Sequence, residues 1–159
     1  MSGIKIFEGM TTNERLRFSQ MAALRLKDLN YDVYQECIDY SKRKIDDPDL
    51  LGIIMLDILE VYELKPENYP IILATAYWFI APFKILYKEL KLKIGFRPVI
   101  QKAMGFNSPE SVSMFSNNLD VYYKNPRFKT KVHEVGERIM KELQDSGYME
   151  KNSTEWGTE

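Results

Sequence analysis

Residues 71–83 form the most apolar stretch of this 159-residue chain, and Pro70 and Pro82 bracket most of it. A membrane-spanning helix needs about 20 apolar residues, so this run of thirteen is too short to cross a bilayer. Its length and the three consecutive aromatic residues at 77–79 predict a helix buried in a protein core. We therefore expect a globular, cytoplasmic chain with no membrane partner.

Capping residues and prolines divide the rest of the chain into helices. Asp47-Pro48, Ser108-Pro109 and Asn125-Pro126 each combine a good N-cap with proline at the first helical position. No series of strands is evident. The sequence predicts an all-α fold, a compact bundle of six to eight helices in a single domain, 1–159, with a flexible tail at 148–159. The predicted helices span about 12–29, 31–44, 48–64, 70–93, 98–105, 108–124 and 126–147.

Charge is distributed unevenly along the chain. Residues 28–67 hold eleven acidic and four basic side chains, whereas residues 84–131 hold ten basic and three acidic ones. This asymmetry predicts an acidic helical half at 11–67 and a basic helical half at 70–147 with different partners. The acidic half would contact a second copy of the chain or another protein. In the basic half, Lys84, Lys88 and Lys91 would share one face of a long helix that Pro82 should kink or divide in two.

Residue types suited to catalysis are scarce. The chain has one cysteine and one histidine, and no glycine-rich phosphate loop. Cys37 lies on an apolar stripe and is predicted to be a buried small hydrophobe, and His133 a surface or boundary residue. Three carboxylates at three-residue spacing, Asp57, Glu60 and Glu63, are typical of a solvated helix face. The sequence therefore predicts no enzymatic activity, no catalytic or metal-binding residues and no cofactor.

Residues 97–131 have the outline of a helix-turn-helix. A short helix would end at Gly105, and a turn with Ser108-Pro109 would lead into a second helix over 108–124. On this second helix the face formed by Val112, Phe115, Leu119 and Tyr122 would turn inward. The opposite face, with Ser113 and Asn117, would be open to solvent and could contact bases or phosphates.

The segment Met104–Val112 resembles the turn of winged-helix and AraC-like regulators, in which a Gly-Phe-x-Ser turn precedes the recognition helix. Its continuation through Asn125-Pro126-Arg127-Phe128 resembles phage terminase small subunits. Gln101 stands where an alanine is usual, and the motif lies late in the chain. The resemblance covers about 35 residues, and it implies a DNA-binding, often oligomeric protein without enzymatic activity.

Together these patterns predict a DNA-binding protein, either a regulator or a phage-type packaging or replication accessory. Double-stranded DNA is the predicted partner. The alternative is a protein-protein adaptor or inhibitor, such as a phage-encoded one, that acts through the acidic N-terminal helices. The predicted DNA-binding residues are Lys91, Lys93, Arg97, Lys102, Ser108, Ser113, Asn117, Asn118, Lys124, Arg127, Lys129 and Lys131.

Overall fold

A computed structural model describes residues 5–149, and the chain divides into two compact units, residues 1–42 and 43–159. The described part is all-α, as predicted, with nine α-helices, two short 3₁₀ helices and no strand within residues 5–149. Residues 150–159, most of the tail predicted to be flexible, lie outside the described residues. The boundary between the units falls after Lys42, within the half of the chain that is predicted to be acidic.

The first unit contains a 3₁₀ helix, Lys5–Phe7, and two α-helices that pack against each other, α1 (Thr12–Leu29) and α2 (Tyr31–Ser41). Thr11 and Glu14 form a capping box at the start of α1. Asn30 both ends α1, through its backbone N–H to Leu26, and caps α2 by accepting the N–H of Val33. The predicted break at residue 30 is confirmed, although α2 ends three residues earlier than expected.

Neither helix of the first unit has a buried residue. Cys37, predicted to be buried, is exposed. The apolar stripe of α2 does exist, but α1 leaves the part of it where Cys37 lies uncovered. The prediction of burial was therefore wrong.

The second unit contains a 3₁₀ helix, Pro66–Asn68, and seven α-helices. They are α3 (Pro48–Val61), α4 (Tyr69–Ile80), α5 (Pro82–Leu86), α6 (Phe96–Met104), α7 (Pro109–Phe115), α8 (Leu119–Tyr123) and α9 (Pro126–Asp145). The apolar run forms α4 and lies at the centre, because α3, α5, α7, α8 and α9 all pack on it. Every residue from Ile72 to Ile80 is buried, which confirms the predicted core helix. No helix within residues 5–149 is both long and apolar enough to cross a membrane.

Pro82 divides the predicted long helix in two, which is one of the two outcomes expected for this proline. Ala81 has a non-helical backbone, as expected for the residue before a proline, and α5 ends after five residues at Leu86. The predicted amphipathic helix through Lys93 is therefore wrong. Residues 87–95 form turns and irregular structure instead.

The caps that begin α3 and α9 are those read from the sequence. The Asp47 side chain accepts the N–H of Asp49, and the Asn125 side chain accepts the N–H of Arg127. The apolar face of α9 is buried at Val132, Val135, Ile139 and Leu143 and packs on α4. After Ser146, Gly147 adopts the left-handed backbone conformation predicted for the end of this helix.

Candidate nucleic-acid interface

The turn between α6 and α7 occupies residues 105–108. Gly105 has a φ of 69°, a left-handed conformation that favours glycine, and the Phe106 N–H donates to the Gln101 carbonyl at 3.0 Å. Phe106 stacks on Phe115, with ring centroids 5.1 Å apart, and both rings meet Tyr69 edge-on. These three aromatic side chains tie the turn to the first residue of α4.

The second helix of the predicted motif is broken. Instead of one helix over 108–124, α7 ends at Phe115, and residues 116–118 form a turn before α8. The Ser116 hydroxyl is buried, donates to the Val112 carbonyl and lies 2.7 Å from the Tyr77 hydroxyl. Two asparagines follow, and asparagine favours turns over helix interiors. The anchored serine and these asparagines together explain the break.

Exposure on α7 and α8 follows the prediction only partly. Met114, Asn117 and Asn118 are exposed as expected, but Ser113 is half-buried. Phe115 and Tyr122, predicted to face inward, are 38% and 47% exposed. Ser108 occupies the N-cap position of α7, but its side chain accepts no capping hydrogen bond and lies 3.5 Å from the Ser111 hydroxyl. Only part of the predicted Ser113–Asn117 surface is open to solvent, because Ser113 is half-buried and Ser116 is buried, and that part lies on a seven-residue helix and a turn.

Three of the basic side chains in residues 84–131 are buried, half-buried or held in an ion pair, so their charge is less available to a partner. Lys93 pairs with Asp46 at 2.8 Å, and Arg43 pairs with the same carboxylate at 2.9 Å. These hydrogen bonds, first from Lys93 and then from Arg43, lower the pKa of Asp46. Arg97 is half-buried on α6. Lys93 and Arg97 are therefore weaker candidates for DNA contact than the sequence predicted.

Lys84, the third, is buried, where the sequence predicted a solvent-facing lysine. Its ammonium group donates to the carbonyl oxygens of Lys88 and Leu90, at 2.8 and 2.9 Å. Burial, followed by repulsion from Arg97, lowers the pKa of the Lys84 ammonium. The side chain thus holds the irregular segment after α5 in place rather than presenting its charge to a partner.

The other basic candidates are exposed. Among the described residues none of them takes part in an ion pair. Lys91 lies in the segment before α6 and Lys102 on α6. The remaining four are close together in sequence, around the junction of α8 and α9. They are Lys124, Arg127, Lys129 and Lys131.

The start of α9 concentrates positive charge. Its first turn contains no acidic residue, and the peptide dipoles of a helix add partial positive charge at the N-terminus. Three of its first six residues are basic, whereas acidic residues predominate from Glu134 onward. The charge order of α9 therefore opposes the helix dipole. A shallow depression here is lined by Pro126, Arg127, Thr130, Lys131 and Glu134. We name Lys124, Arg127, Lys129 and Lys131 the α9 basic cluster.

Sequence reasoning missed a histidine and aromatic cluster beside the α9 basic cluster. The His133 Nε2 atom lies 2.7 Å from the Tyr123 hydroxyl, and its ring meets Trp78 edge-on. The ammonium group of Lys44 lies 3.9 Å from the centre of the Trp78 ring, and that of Lys129 lies 5.6 Å from the centre of Tyr123. The only sequence signal for this cluster is that His133 lies next to the apolar residues of α9, which indicates that its side chain is half-buried.

The acidic side chains at positions 57, 60 and 63 do not form a metal site in the described part of the chain. Glu60 and Glu63 are exposed and Asp57 is half-buried, with its pKa raised by burial and by Glu142 and Glu60. No group of three or more histidine, cysteine, aspartate or glutamate side chains within residues 5–149 could hold a metal ion.

Comparisons of the chain with protein-family models, with curated proteins and with solved structures gave no match. The resemblance of residues 97–131 to helix-turn-helix proteins stays a prediction from the sequence.

Proposed function

We propose that this protein binds double-stranded DNA, chiefly through phosphate contacts made by the α9 basic cluster, and that it is not an enzyme. The observation that carries the proposal is the cluster itself: four exposed cations with no ion pair in the described part of the chain, around the N-terminus of a 20-residue helix. Such a binder would serve as a regulator or as a phage-type packaging or replication accessory.

Folding alone gives no reason for this charge arrangement. Cations in the first turn of a helix destabilise it by roughly 0.3–1 kcal/mol each, because they oppose the macrodipole. A phosphate at the same place would interact favourably with both the basic side chains and the positive end of the helix dipole. Phosphate binding therefore accounts for a feature that reduces stability in the free protein.

Residues near the α6–α7 turn would supply any sequence preference. Asn117 and Asn118 are exposed, and asparagine amides pair with adenine in the major groove. The seven-residue length of α7 and the burial of Ser116 leave few side chains for base contacts. We infer that phosphate contacts contribute most of the affinity and that base contacts contribute little.

Fluorescence anisotropy with labelled duplex DNA over a salt series tests the proposal. The variant Lys124→Gln/Arg127→Gln/Lys129→Gln/Lys131→Gln should bind more weakly. The slope of log K against log salt concentration should become shallower by about 0.9 for each phosphate that the variant no longer neutralises. Lys42→Gln/Lys88→Gln/Arg138→Gln/Lys141→Gln is the matched control, because it removes the same amount of charge from four exposed residues outside the cluster. Absence of binding at low salt, or equal weakening in both variants, would refute the proposal.

A second measurement separates phosphate contacts from base contacts. Asn117→Ala should change the preference among duplex sequences while leaving the salt slope unchanged, whereas Lys129→Ala should weaken all sequences similarly.

An adaptor acting through the N-terminal helices is the alternative function, favoured by the exposed apolar side chains of α1 and α2. Recovery of a stoichiometric protein partner without DNA, together with no duplex binding, would favour that alternative.

A further inference from the structure

The first unit leaves most of its apolar side chains in water. Seven large ones on α1 and α2 are between 39% and 71% exposed, and neither helix has a buried residue. So many large apolar side chains exposed on two packed helices indicate an interaction site. The exposed side chains are Leu16, Phe18, Met21, Leu24, Leu29, Tyr31 and Val33.

Charge on the two helices is complementary. The helix α1 carries four basic and two acidic side chains, whereas the three charged side chains of α2, Asp32, Glu36 and Asp39, are all acidic. No ion pair joins α1 to α2 within the described residues. The basic side chains of α1 can therefore pair with the acidic side chains of α2 in a second copy of the chain.

We propose that α1 and α2 form a self-association surface on which α1 of one copy packs against α2 of a second copy, and the reverse. A two-fold arrangement makes both contacts at once, because it uses the same patch on each copy. It would close the two hairpins into a four-helix bundle and cover the apolar side chains.

The surface available for a dimer is one side of the hairpin. Only part of its 18 and 11 residues can face a second copy, because α1 and α2 also pack on each other. The interface is therefore smaller than a standard one of about 20–30 residues on each side, and we expect a correspondingly weaker dimer. The proposed dimer surface shares no residue with the α9 basic cluster, which lies in the second unit, so the failure of one proposal would not refute the other.

Sedimentation equilibrium of the full chain tests self-association. The wild type should form dimers, and Leu24→Glu should weaken them about tenfold or more, because it places a charge in the apolar surface. Leu56→Glu is the matched control, since Leu56 is exposed to a similar extent on α3 of the second unit. Circular dichroism checks that both variants stay helical. A monomeric wild type, or a dimer unaffected by Leu24→Glu, would overturn the proposal.

Charge exchange tests which helices meet. Arg17→Glu/Arg25→Glu makes α1 acidic, and Asp32→Lys/Glu36→Lys makes α2 basic; all four side chains are exposed. Each variant alone should dimerise poorly, because α1 and α2 would then carry like charge. An equimolar mixture should form heterodimers, because each α1 then faces an α2 of opposite charge. A mixture that stays monomeric, or variants that each dimerise like the wild type, would rule out packing of α1 on α2.

Discussion

The helices α1 and α4 are both rich in apolar residues, yet their surroundings differ completely. Nine consecutive residues of α4 are buried, and no residue of α1 is. Both begin where the sequence places a start signal, Thr11 with Glu14 for α1 and Pro70 for α4. The contrast teaches that local signals are enough to define a helix, while burial depends on which other elements the chain supplies.

The two units should therefore differ in what stabilises them. Packing around α4 stabilises the second unit, because apolar burial is the dominant favourable contribution to folding. The first unit depends on its caps and on contacts between two helices of 18 and 11 residues. Isolated helices shorter than about 12–15 residues are only marginally stable in water, and helices only slightly longer gain little more. We expect residues 5–42 to open more readily than the second unit in hydrogen exchange when the protein is monomeric.

The largest predicted effect lies in the second unit. A Cβ atom at Gly136 would lie 2.5 Å from the Trp78 ring, which is itself almost fully buried. Gly136→Ala should therefore destabilise this unit by roughly 1–3 kcal/mol, the usual cost of overpacking a core. Urea denaturation followed by tryptophan fluorescence measures the change.

Gly52 provides the matched control for this substitution. It also lies inside a helix, α3, but a Cβ atom there would have no neighbour within 4 Å. Gly52→Ala should stabilise the second unit by about 0.5–1 kcal/mol, because alanine has the higher helix propensity. Equal effects of the two substitutions would show that contact with Trp78 does not limit residue 136.

An intermediate effect is predicted in the first unit. Thr11→Ala removes the capping box of α1 and should cost about 1 kcal/mol. Hydrogen exchange should show faster exchange in α1 and unchanged exchange in α4. Uniformly faster exchange throughout the described chain would contradict the separate behaviour of the two units.

The smallest effect concerns pH. Burial, followed by repulsion from Lys129 and Lys44, lowers the pKa of His133 below its ordinary value. The folded state thus favours the neutral ring, so the contribution of His133 is complete above the unfolded pKa of about 6.5. It is lost as pH falls below that value through the folded pKa. Since His133 is only half-buried, the change should be small.

Thermal unfolding at several pH values checks this, with His133→Gln as the reference. The Tm of the wild type relative to that variant should decrease as pH falls below about 6.5. A constant difference in Tm across this range would show that His133 does not couple protonation to folding.

Features that depend on neighbouring residues could be predicted from the sequence. The caps at Asp47 and Asn125 are examples, because each N-cap side chain bonds to backbone only two residues ahead. The break after Phe115 could be predicted only in part: the two asparagines that follow favour a turn, but the hydroxyl pair between Ser116 and Tyr77 joins residues 39 apart in sequence. Such a pair exists only after the helices have packed.

The candidate site divides in the same way. Exposure of Lys124, Arg127 and Lys131 agrees with the sequence prediction. Burial of Lys84 and pairing of Lys93 with Asp46 do not follow from charge pattern, because both depend on how the chain folds back on itself. A lysine count therefore overestimates the charge that is available to a partner.

Asn30 is the only residue between α1 and α2, and its backbone and side chain bond to both helices. The rotation of one helix relative to the other is therefore fixed by one residue. An inserted residue would turn α2 by about 100° around its axis, since an α-helix has 3.6 residues per turn. The apolar and acidic sides of α2 would then both turn by about 100° relative to α1, so a change of length at this position changes which surface the hairpin presents.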